Sequence, residues 1–174
     1  ASGAPTTYFS HVPAFVEAIW IPLRDPNQNI REAAAAALHA TLVLISEREL
    51  AVQEKWYGAI TAEANKGFQS ANADHIHASL LALGELLQVS GPFMHKRFKE
   101  SCDRILKYRE HRDKLLRRTV IRLLPKLAAS HPESFVLNYR HTCINHLLST
   151  LKKDSDRGPC FIALGELAIV RSFL

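Results

Sequence analysis

The chain lacks any run of about 18 apolar residues, so no helix of membrane-spanning length is expected. No basic segment followed by an apolar one stands at the start, so no signal peptide is expected either. Cysteine is sparse: Cys102, Cys143 and Cys160 are odd in number and form no CxxC pair. They read as free thiols in a reducing compartment, cytosol or nucleus. Glycine (7) and the aromatics (8 Phe, 2 Trp, 4 Tyr) are modest, and strongly β-branched runs are missing. There is no initiator Met: the chain opens Ala1-Ser2-Gly3 and stops at Phe173-Leu174 within apolar sequence. Both ends are expected to be cuts in a longer polypeptide.

Alanine and leucine dominate what is present, a bias that favours helix. At 174 residues and 47% hydrophobic, the chain can bury a core and is not of the disordered class. The pentapeptide Ala-Leu-Gly-Glu-Leu occurs at Ala82–Leu86 and again at Ala163–Leu167, an offset of 81 residues. Halving that offset predicts a copy near 122–127, where Arg122-Leu123-Leu124-Pro125-Lys126-Leu127 is apolar at matching places. A second marker, an apolar residue followed by a basic one, opens three long periodic stretches at Ile30-Arg31, Ile76-His77 and Leu116-Arg117; Asp156-Arg157 keeps the basic half. Helical repeats of about forty residues belong to the HEAT and armadillo class.

Ile76, Leu80, Leu83 and Leu87 recur at i, i+4, i+7 and i+11, as do Leu116, Val120, Leu123 and Leu127, so each set lies on one helical face. Less regular helices are expected before these stretches, at about 8–23, 53–68, 93–108 and 132–151. Asp25-Pro26-Asn27 reads as a turn with Asn27 or Asn29 as N-cap, Ser90-Gly91-Pro92 as a break, and Pro132 as a helix start. Pro13 should kink the first helix or mark its true start, and Pro125 should bend the sixth. The alanine run 33–37 should let two helices approach closely. The expected fold is all-α: an α-solenoid of about four antiparallel helix pairs, an α-α superhelix, with repeats at about 5–48, 49–90, 91–130 and 131–174.

Asp25-Pro26-x-x-x-Ile30-Arg31-x-x-Ala34-x-x-Ala37-Leu38 resembles the HEAT-repeat consensus. There Asp25 would begin the inter-helix turn, and Arg31 would reach such an Asp in the same or a neighbouring repeat, forming a structural ladder. A narrower resemblance runs from Gly3 to Ser172. Gly3-Ala4-Pro5-Thr6, Ile19-Trp20, Trp56-Tyr57, Glu63-Ala64-x-Lys66-Gly67-Phe68, Asp74-x-Ile76-His77, Leu123-Leu124-Pro125-x-Leu127-Ala128-Ala129 and Asn145-His146-x-Leu148 look, in order and spacing, like the N-terminal HEAT region of target-of-rapamycin (TOR) kinases. Animal members carry a long polar insertion where this chain passes straight through Ser90-Gly91-Pro92.

This resemblance implies a scaffold segment of a serine/threonine kinase that acts in nutrient and growth signalling. The ATP site would lie far C-terminal, so this segment would be no enzyme and would need no cofactor or small-molecule substrate. Its implied partners are a Raptor-like subunit, neighbouring HEAT repeats and a second kinase protomer. The implied location is cytoplasmic, with the complex recruited to endomembranes. A HEAT block of a nuclear transport receptor or a phosphatase scaffold is the alternative.

The residues offer little chemistry. His111-Arg112-Asp113 spells the start of a kinase catalytic loop, but Arg118 stands where a metal-binding Asn is required. Asp113 reads instead as favouring a helix start. His141-x-Cys143-x-x-His146 is the tightest metal-like cluster, yet on a helix His141 points away from the other two, and no second pair of ligands is evident. Trp20, Trp56, Phe93, Met94 and Phe98 read as inter-helix core.

The charge is uneven: 94–126 holds 12 Lys and Arg against 4 acids, a net of +8, which leaves −3 for the remainder of a chain at +5. The candidate partner-binding patch is Lys96, Arg97, Lys99, Arg104, Lys107, Arg112, Arg117 and Arg118. The favoured reading of these cations is a solvated face balanced by Glu100, Asp103, Glu110 and Asp113, with a protein partner second. Nucleic acid is the weakest reading, because no aromatic residues interleave with the cations.

Overall fold

A computed structural model describes residues 9–170, and every regular element among them is a helix. The Gly3–Thr6 and Ser172 portions of the resemblance lie outside the described residues. The helices are α1 (Val12–Ala18), α2 (Trp20–Leu23), α3 (Gln28–Ser46), α4 (Leu50–Phe68), α5 (Ala73–Val89), α6 (Pro92–His95), α7 (Phe98–Leu106), α8 (Lys114–Ser130), α9 (Pro132–Asn138), α10 (Arg140–Thr150) and, after a 3₁₀ turn at Asp154–Asp156, α11 (Arg157–Ile169). They form the expected all-α helical repeat. Two compact units divide after Phe93.

The second helix of each of the first three pairs begins in the same way. Asn27, Asn72 and Asp113 stand in extended conformation and accept from the backbone N–H two residues on: Asn29 at 2.9 Å, Asp74 at 2.7 Å and Leu115 at 2.8 Å. Each thereby satisfies a donor that the helix leaves open. Asp25 braces the first cap by accepting from Asn27 N–H at 2.7 Å.

In the first unit α5 packs on both α3 and α4. Leu38, Leu42 and Ile45 of α3, Tyr57 and Ile60 of α4, and Leu80 and Leu86 of α5 are fully buried. Of the alanine run only Ala34 and Ala35 are buried; Ala33, Ala36 and Ala37 are exposed. A close approach is made at Gly67, where a Cβ would sit 2.1 Å from Ser79 Oγ and 2.9 Å from the His75 carbonyl. The unit ends through Gly91, whose φ of +38° suits a residue without a Cβ.

In the second unit α8 packs on α11 and α9, and α10 on α11. Its core includes Ile105, Leu116, Val120, Leu127, Phe135, Leu147 and Cys160. Both periodic faces read from the sequence are buried, 76/80/83/87 and 116/120/123/127. Met94, Phe98 and Trp20 are buried as expected, whereas Phe93 and Trp56 are half-exposed.

Three of the four first helices are broken rather than continuous. The break at Ile19 has a local cause: Pro22 has no N–H, so the Ala18 carbonyl loses its helical donor. Pro13 marks the start of α1. The break at Tyr139 has a tertiary partner, its hydroxyl donating to Asp103 Oδ1 at 2.9 Å. Nothing local explains the break at Arg97. Pro125 lies inside α8, which runs through it unbroken.

Candidate functional site

Asp25 and Arg31 do meet, through the backbone of Asp25. Arg31 Nη1 donates to the carbonyls of Asp25 at 2.5 Å and Pro26 at 3.0 Å, six and five residues back. The same nitrogen lies 2.9 Å from the carboxylate of Asp74 at the start of α5, and Nε donates to His77 Nδ1 at 2.9 Å. One guanidinium thus closes its own turn and ties it to the neighbouring helix pair.

Arg117 repeats the arrangement in the second unit. Its Nη1 donates to the carbonyls of His111 at 2.9 Å and Arg112 at 3.0 Å, again six and five back, while Nε meets Asp156 at 3.1 Å. Arg157 keeps part of it, donating to Leu151 O six residues back at 3.0 Å. Arg118 also pairs with Asp156 at 3.2 Å and donates to the Ser155 carbonyl. Burial pushes the Asp156 carboxyl up, but Arg117 and Arg118 together hold it below its ordinary range. The sequence reading missed Asp74, His77 and Asp156 as partners. The only signal was position, since Asp74 and His77 stand in the first turns of the next periodic helix and Asp156 directly precedes Arg157.

Seven of the eight candidate patch residues separate into two groups, with Arg104 between them on α7. Lys96, Arg97 and Lys99 lie at the start of α7, where His95 Nε2 is 2.8 Å from the Ser130 carbonyl at the end of α8. Lys107, Arg112, Arg117 and Arg118 lie in the turn after α7 and the first turn of α8, on the order of 12 Å further along the helix axis. Arg104 pairs with Glu100 at 2.8 Å. The turn that holds Lys107 and Arg112 neighbours the one between α10 and α11: Glu110 lies 3.1 Å from His146 Nδ1 and 3.5 Å from Lys153 Nζ. Burial lowers the His146 pKa, and Glu110 opposes this.

The chemistry-like motifs are occupied structurally. Asp113 caps α8, accepting from Leu115 and Leu116 N–H. Cys143 and His146 are buried while His141 is exposed, and no group of three metal-ligating side chains is placed together among the described residues. Burial pushes the Cys143 thiol up to about 12 and raises Cys102 and Cys160, which disfavours thiolate chemistry. A groove of about 500 Å³ in the first unit is lined by Val16, Glu17, Trp20, Ile21, Arg24, Ala59 and Glu63. Arg24 and Glu63 of this lining pair at 2.9 Å.

No family model matches the chain. Its relatives are nonetheless consistent. Over 169 residues it is 44% identical to the serine/threonine-protein kinase TOR of Oryza sativa subsp. japonica and 43% identical to that of Arabidopsis thaliana. It is 36% identical to the serine/threonine-protein kinase tor1 of Schizosaccharomyces pombe. Each match covers 97% of this chain and 7% of the relative, so the chain spans about 7% of the length of these relatives. Over the residues it contains, the chain is therefore similar to one short helical-repeat segment of TOR serine/threonine kinases.

Proposed function

We propose that this chain is a HEAT-repeat scaffold segment of a TOR-type serine/threonine protein kinase, serving complex assembly and protein docking in nutrient and growth signalling. The observation that carries the reading is the match itself: 97% of the chain aligns with 7% of the length of each of two kinases named TOR. The ladder supports it, because Arg31 and Arg117 close their own turns at the same offsets, and each also ties its helix pair to the next pair within its own unit. A stack built from local contacts presents long surfaces rather than an enclosed active site. The ATP-dependent catalytic domain belongs elsewhere in the parent polypeptide. The repeat divisions near 48, 90 and 130, a cytoplasmic location with endomembrane recruitment, and docking of a Raptor-like subunit or a second protomer are parts of the same proposal.

The test is deletion of this segment from the parent kinase. Co-purification of partner subunits should fall sharply while phosphorylation of a short peptide by the deletion variant is unchanged. Full subunit assembly without the segment would overturn the scaffold reading.

A further inference from the structure

We propose that one edge of the second unit, formed by segments 107–118 and 151–157, docks an acidic polypeptide segment. This rests on the protein-docking role above and names where it acts. The two segments are distant in the chain, and the Arg117–Asp156, Arg118–Asp156 and Lys153–Glu110 pairs place them side by side. Together they hold nine Lys and Arg against four acids, a net of +5. The whole chain holds 22 against 17, also +5, so everything outside this edge balances at 13 against 13. The fold has gathered the chain's entire charge excess onto two adjoining turns.

The acids there are already committed. Asp156 is fully buried between two arginines, and Asp113 caps α8. Glu110 is shared by His146 and Lys153, and Asp154 pairs with Arg157 at 2.6 Å. Lys107, Arg112, Lys114 and Lys152 are exposed, and none has an acidic partner among the described residues. Like charges held close together raise a local positive potential that a run of carboxylates relieves.

The surroundings favour a polypeptide over other polyanions. Single-stranded nucleic acid is usually held on exposed aromatic platforms, and the edge's one Phe, Tyr or Trp residue, Tyr108, is buried. Insertion into a membrane surface uses exposed large apolar side chains, and none of those on this protein falls in either segment.

The experiment measures fluorescence anisotropy of a labelled short polyglutamate peptide against the full chain at low salt. Polyglutamine of equal length, phosphatidylserine vesicles and oligodeoxythymidine form the comparison arms. The edge variant K114E/K152E is set beside K96E/K99E, which makes the same charge change at the other end of α7, and K114R/K152R tests rescue. All variants are first checked for unchanged helical circular dichroism. Polyglutamate should bind and polyglutamine should not; the edge variant should weaken binding by about tenfold or more, K96E/K99E by less than about twofold. Equal losses in the two reversal variants, no polyglutamate binding at low salt, or tighter binding of vesicles or oligonucleotide would overturn the proposal. In the parent kinase, full subunit capture by the K114E/K152E form would also overturn it, while leaving the scaffold role standing.

Discussion

Arg31 shows how a single side chain can set repeat register. It is 2% exposed, and burying a guanidinium costs several kcal/mol unless its donors are matched. Here two turn carbonyls, the Asp74 carboxylate and His77 Nδ1 match them. Arg31→Ala should therefore destabilise the protein by about 3 kcal/mol in urea unfolding, since a buried side chain is removed and two turn carbonyls and the buried His77 lose their donor. Arg31→Lys should recover less than half of that, because one ammonium cannot reproduce the planar fork. Asp74→Ala should cost under about 1 kcal/mol, because that carboxylate is 37% exposed. A larger effect from Asp74 than from Arg31 would show that the inter-repeat ion pair, rather than turn closure, dominates. The Asp25-Pro26…Arg31 pattern made the arginine legible in the sequence. The atoms it binds were not, because backbone carbonyls carry no sequence signature.

Two glycines in α4 separate intrinsic propensity from packing at the scale of the element. Alanine is the better helix former by about 1 kcal/mol at either position. At Gly58 an added Cβ meets nothing within 4 Å, so Gly58→Ala should stabilise by roughly 0.5–1 kcal/mol. At Gly67 the Cβ would collide with Ser79 Oγ and the His75 carbonyl of α5, and the second of these is backbone. Gly67→Ala should destabilise by about 1–3 kcal/mol, a change of opposite sign within one helix that thermal unfolding would show directly. The unbroken second helices were legible because their apolar residues keep strict helical spacing and each of the first three opens on an Asn or Asp cap. The breaks in the first helices were less so. Pro22 encodes one locally, but the break at Tyr139 coincides with a hydroxyl bond to a helix about forty residues earlier in the chain.

For the molecule as a whole, three groups among the described residues contribute a response to acid. His146, Glu63 and Asp156 all have pKa values below their ordinary 6.5, 4.5 and 3.8. For His146 burial is the main cause; for Glu63 the Lys66 contact comes first; for Asp156 the two arginines outweigh burial. In each case the folded state binds fewer protons than the unfolded chain once pH drops below the ordinary value, so unfolding takes up protons. Stability should be level near neutrality, begin to fall below about pH 6.5 through His146, and fall again below about pH 4.5 through the carboxylates. Urea midpoints taken across this range should show both stages. His146→Gln should remove the first stage and spare the second; persistence of the first stage in that variant would assign it to another group.

The sequence by itself determined the all-α repeat, the buried faces and the relation to TOR kinases, because these follow from periodicity, local capping and residue order along one chain. It also showed that positive charge is concentrated in the middle of the chain. Only the tertiary structure decided which charges share a surface. Antiparallel helices carried Lys96 and Lys99 away from Lys107 and Arg112, and stacking brought Lys152 and Lys153 beside them. Those pairings depend on contacts between segments about forty residues apart, which repeat spacing makes possible and only the packed structure identifies.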